Sequence, residues 1–102
     1  MNPDPTAKLG EVQCCKTDGT CTRRSPWNSD SNDDCISGNN DDSKYSLQEA
    51  ANMCAALGEN WSLCTREQVS NGNCRGKGCA IDWAYVWVDN SNHQNVIVNV
   101  FL

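Results

Sequence analysis

Residues 46–68 read SLQEAANMCAALGENWSLCTREQ, and the fold turns on this stretch. Ser46-Leu47-Gln48-Glu49 is an S-x-x-E capping box, in which the serine hydroxyl accepts the N–H of Glu49 and the glutamate reaches back to the N–H of Ser46. Leu47, Ala50, Ala51, Cys54 and Leu57 then recur at i, i+3, i+4 and i+7 spacing on one face, and Gly58 can take the left-handed conformation that ends a helix. The spacing predicts a helix over 47–57. Trp61 to Cys64 reads as a short strand, after which Thr65-Arg66-Glu67-Gln68 repeats the capping logic for a shorter helix ending near Ser70.

On the C-terminal side, residues 71–79 contain Gly72, Gly76 and Gly78 and read as a tight loop tied by Cys74 and Cys79. Trp83, Tyr85 and Trp87 alternate with Ala84, Val86 and Val88, which is the period of a strand. The larger aromatic face is expected to be the buried one rather than a platform for sugar rings. Val96, Val98, Val100 and Leu102 alternate in the same way, and the polar residues 89–95 between the two runs predict a C-terminal hairpin that forms the sheet.

On the N-terminal side, residues 14–42 are polar, with Trp27 and Ile36 as the only large apolar side chains besides cysteine. They read as an irregular half whose shape comes from disulfides. Residues 1–10, with Pro3 and Pro5, read as a loose arm. A chain of 102 residues makes one domain, with 45–102 as its helix-and-sheet core.

Hydrophobic residues make up 38% of the chain and the mean hydropathy is −0.64, so burial alone is a weak source of stability. Eight cysteines compensate: Cys14, Cys15, Cys21, Cys35, Cys54, Cys64, Cys74 and Cys79. An even number at this density predicts four disulfides in an oxidising, extracellular setting, with the pairing open among 105 alternatives. The rival is a zinc site, but the paired C-x2-C spacings of such sites are missing and His93 is the only histidine. Secretion implies a leader removed from the mature chain, because Met1 to Lys8 contains no hydrophobic signal segment. Net charge is −5, with few and scattered basic residues. Neither nucleic acid nor membrane insertion is expected of such a chain.

Between Ala50 and Trp87 the order C-A-A-L-G, then W-S-L-C-T-R-E-Q, then Gly78-Cys79 and Val86-Trp87 resembles the C-type-lectin-like fold. It is most similar to cysteine-rich extracellular domains of marine algae carrying an R-L-C-T-x-x-E…G-C…V-W pattern. The resemblance implies an α+β, disulfide-rich single domain: a compact C-type-lectin-like variant with two short helices and a C-terminal β-hairpin. The family's E-P-N or Q-P-D calcium triplet is absent, and its W-N-D triplet is matched only loosely by Trp87-Val88-Asp89-Asn90. Calcium-dependent sugar binding therefore does not carry over as a whole, and Trp87, Asp89 and Asn90 stand as candidate ligand-binding residues.

Trp27, alone in a polar segment, is the other candidate contact. Asp30, Asn32, Asp33 and Asp34, with Asp41 and Asp42 further on, offer oxygen ligands for calcium. The EF-hand pattern fails there, since Cys35 stands where glycine is needed and Asp41 where a bidentate glutamate belongs. Calcium is thus an optional ligand, and no cofactor is required. Asn60-Trp61-Ser62 is a glycosylation sequon, and Arg23-Arg24 has the form of a dibasic processing site. Gly76-Lys77 lacks the remainder of a phosphate loop, and His93 has no nucleophile motif to serve, so no enzymatic constellation emerges. The reading is a secreted recognition or adhesion module for a carbohydrate or protein ligand. The alternative is a diffusible, pheromone- or toxin-like signal acting on a cell-surface receptor.

Overall fold

The computed structural model describes residues 6–29, 31–37, 44–76, 78–79, 81, 84–89 and 96–99. It shows a small disulfide-rich domain with two helices and two small antiparallel sheets. The helices are α1, Leu47–Ala55, and α2, Arg66–Ser70. Both start as the capping boxes require: Ser46 accepts from the N–H of Glu49, Thr65 from that of Gln68, and each third helical side chain returns the bond. None of the described helices is long and apolar enough to cross a membrane.

The first sheet takes one strand from the expected stretch 61–64 and two from a half where the sequence suggests none. Strand β1, Cys14–Cys15, is its centre, with β2, Cys21–Thr22, on one side and β3, Ser62–Leu63, on the other. Cys14 faces Thr22 and Leu63 across the two ladders, and Cys15 faces Cys21 and Ser62. The N-terminal half is therefore not merely irregular: it supplies two of the three strands. The second sheet pairs β4, Tyr85–Val88, with β5, Val96–Asn99, so that Trp87 lies opposite Ile97. Residues 90–95 between them, and Trp83, Val100, Phe101 and Leu102, lie outside the described residues.

Residues 10–15 are buried throughout and join the parts. Glu11 bonds through its N–H to Tyr85 and through its carbonyl to Trp87, and the carbonyl of Gln13 accepts from Cys64. Nor is the N-terminal arm loose along its whole length. The N–H groups of Leu9 and Gly10 donate to the Tyr45 carbonyl, the Tyr45 N–H donates to Gly10, and Lys8 is paired with Glu49 at 2.8 Å.

The period-two alternation sorts side chains into two cores. Cys15, Val86 and Val88 face one, with Ile81 and Val69; Val12, Cys14 and Trp87 face the other, with Ala50, Cys54 and Trp61. Both faces of β4 are thus covered along 86–88, which corrects the expectation of one buried aromatic face. Val86 and Trp87 are fully buried while Tyr85 is about half exposed.

Every cysteine is bonded: Cys14–Cys54, Cys15–Cys64, Cys21–Cys74 and Cys35–Cys79. Each of the first four cysteines takes the one four places later in cysteine order, so every bridge joins the N-terminal half to the helical half.

Candidate functional site

Trp27, the exposed tryptophan of the polar half, does not stand alone. Its ring lies 5.9 Å from that of Trp61, tilted by 42°, within the range of favourable aromatic pairs. The Lys16 ammonium sits 5.1 Å from the Trp27 ring centroid and 5.0 Å from that of Trp61. Both distances are those of cation–π contacts. Trp61 is 7% exposed and Trp27 46%, so one ring is the floor of the cluster and the other its accessible part.

Local chemistry places each member. Lys16 directly follows β1 and opens the turn into β2, where its N–H donates to the Thr20 carbonyl at 2.8 Å and Gly19 takes φ +95°. Asp18 caps that turn by accepting from the N–H of Thr20 at 2.9 Å, and this bond holds its carboxyl below the usual range. The Lys16 carbonyl accepts from the Gln68 side chain of α2 at 2.9 Å, so the lysine springs from a fixed base. Trp61 enters β3 from the end of α1, through left-handed Gly58 and Asn60. The Thr22 hydroxyl of β2 donates to the Trp27 carbonyl at 3.3 Å.

Beside this cluster in sequence runs the acidic loop. Arg24 pairs with Cys35 across it, and the N–H of Asp33 donates to the Ser31 hydroxyl. The Asp34 carboxylate accepts from the Ser29 hydroxyl. The loop and α1 border an open groove of about 350 Å³ lined by Ser25, Asp33, Asp34, Ile36, Met53 and Ala56. Among the described residues no three carboxylates come together at ligating distance; the bond of Asp34 is made by its carboxylate and that of Asp33 by its backbone N–H. Asp30, Asp41 and Asp42, and the side chain of Asn32, lie outside the described residues.

Trp87 takes the buried place expected of the aromatic face and not that of a candidate ligand contact. It is fully buried, and its indole N–H donates to the Tyr45 carbonyl at 2.7 Å, so it packs the core instead of meeting a ligand. Asp89 is exposed at the end of β4, with its N–H on the Cys64 carbonyl, and Asn90 lies outside the described residues. Asn60 is exposed at φ 76° beside Trp61. The supposed dibasic site is not one in the folded chain, because Arg23 is buried and donates to Gln13 at 3.0 Å and to the Gly78 carbonyl at 3.0 Å. Lys16 and Trp61 carried no sequence signal as binding residues; only the strand order makes them neighbours of Trp27. Compared with family models, characterised proteins and solved structures, the chain has no match.

Proposed function

We propose that this protein is an extracellular, non-catalytic recognition module that takes a carbohydrate or protein ligand against Trp27. The observation that carries the reading is the half-exposed Trp27 ring, packed at a tilt against Trp61 and flanked by Lys16. Exposing an indole forfeits the free energy of burying it, and a neighbouring ring that holds it in place reduces the entropy lost on binding. Tryptophan also ranks among the residues that contribute most to binding interfaces. A flat aromatic face suits a sugar ring, and the Lys16 ammonium, seated over the Trp27 and Trp61 rings, adds a charged donor beside it.

Four disulfides, and the lack of a membrane-spanning helix among the described residues, fit the extracellular setting. A compact C-type-lectin-like relationship remains part of this proposal, resting on the order of motifs from Ala50 to Trp87 and on two capped helices. The test is labelled chain on a glycan panel and on intact cells, beside Trp27→Ala. Trp27→Ala should weaken saturable binding by about thirtyfold, on the order of 2 kcal/mol, with the fold retained and only a small drop in the melt from the lost ring pair. Binding by the variant equal to that of the parent removes Trp27 from the site and this reading with it.

A further inference from the structure

Cys15, Cys21, Cys64 and Cys74 bring their four Sγ atoms within 4.8 Å of one another, all four buried. In the oxidised chain they form two disulfides lying side by side, with the Sγ of Cys21 3.6 Å from that of Cys64. The juxtaposition is built by the sheet: Cys15 on β1 is the direct cross-strand partner of Cys21 on β2, yet each is bonded elsewhere. We propose that, once a dithiol reductant has opened the disulfides of the chain, it binds one zinc ion through these four sulfurs.

The geometry supports this on three counts. A tetrahedral zinc thiolate with bonds of about 2.3 Å spaces its sulfurs by roughly 3.8 Å. That spacing falls between the 3.6 Å contact and the 4.8 Å limit already present. Only the two bonded pairs have to separate, a movement that rotation about each cysteine's own side chain supplies. Third, the ligands come from two sheet strands, the end of β3 and the turn after α2, so the shell is closed and shielded from water, as in structural zinc sites. The spacings C-x5-C and C-x9-C hide this arrangement in the sequence, because it depends on how β1, β2 and β3 pair.

The chemistry balances. Each disulfide accepts two electrons and two protons from a dithiol, which closes to its own disulfide, and zinc binding then releases the four thiol protons. Cys14–Cys54 and Cys35–Cys79 lie outside the cluster and contribute no ligand.

The experiment uses the full chain, reduced and kept free of oxygen, with and without zinc, and reads the alkylation rate of each cysteine by peptide mass spectrometry. Zinc at about a hundred times its Kd should slow alkylation of Cys15, Cys21, Cys64 and Cys74 by roughly a hundredfold. Cys14, Cys54, Cys35 and Cys79 should stay fast. Cobalt in place of zinc should give the visible bands of a tetrahedral thiolate at one ion per chain. Those bands should persist in Cys35→Ser/Cys79→Ser and vanish in Cys21→Ser/Cys74→Ser. Equal protection of all eight cysteines, protection of a different set, no metal retained, or equal uptake by the oxidised chain overturns the proposal.

Discussion

Gly10 shows how little room this small core leaves. A methyl group added there would lie 2.9 Å from Cδ1 and 3.1 Å from Nε1 of Trp87, and 3.1 Å from Cγ2 of Ile97. Trp87 cannot swing aside, since its ring is buried and its N–H is held by Tyr45. Gly10 is itself fixed by its bonds with that same residue. Gly10→Ala should therefore cost about 1–3 kcal/mol in denaturant unfolding, as overpacking of a rigid site does. Gly76 makes a contrast: its φ is +83° but among the described residues nothing lies within 4 Å of the added carbon, so Gly76→Ala carries the backbone strain, about 1 kcal/mol. If Gly10→Ala unfolds at the same denaturant concentration as the parent, Trp87 is not the rigid element described. The pattern of alternating residues identifies 85–88 as a strand. It does not tell that Gly10 approaches Trp87 so closely, because that contact joins residues far apart in the chain.

At the level of elements, α1 is the part most legible in the sequence, because its signals are local. Its capping box and apolar spacing all lie within 46–58, and the observed helix, Leu47–Ala55, begins where they place it. Strands β1 and β2 were not legible, since two-residue strands show no periodicity and owe their place to pairing and to disulfides. What the helix signals omit is the tie between Glu49 and Lys8. The Glu49 carboxylate accepts from Lys8 at 2.8 and 2.9 Å and from the Ser46 N–H at 2.9 Å. The Lys8 bond first, and the Ser46 N–H second, hold its carboxyl below the usual range. A carboxyl depressed in the folded state contributes stability that is fully present above its unfolded pKa and is lost as pH falls through its folded pKa. Glu49→Gln should therefore melt below the parent at neutral pH. The gap should close as the pH drops below about 4, the ordinary glutamate range. A gap that persists unchanged in acid would show that the ion pair is not its source. Ser46→Ala, which removes the other half of the box, should cost about 1 kcal/mol at any of these pH values.

The whole molecule is held by four bridges that all run the same way, from the polar half to the helical half. Cysteine number alone left 105 pairings open, and the choice among them rests on strand order, which lies beyond local sequence signals. The bonded residues are separated by 40, 49, 53 and 44 positions, less than half a doubling from smallest to largest. Loop-closure entropy changes by only about 0.6 kcal/mol per doubling, so the entropic contributions of the four differ by roughly 0.3 kcal/mol at most. Each is about 4 kcal/mol in the chain-entropy description. Differences in what their removal costs must then come from packing. Cys14 and Cys54 are fully buried between α1 and the first sheet, whereas Cys35 is only partly covered at the edge of the acidic loop. Cys14→Ala/Cys54→Ala should therefore cost more than Cys35→Ala/Cys79→Ala, by about 1–2 kcal/mol for the cavity that the missing sulfurs leave in a closed core. Guanidinium unfolding of the two oxidised double variants measures the difference directly. If removing Cys35–Cys79 costs as much or more, the acidic loop is a structural member of the fold. If the order is as argued, that loop and the adjoining Trp27 can loosen while the two cores hold, leaving the surface proposed for ligand binding as the part with most freedom to adapt.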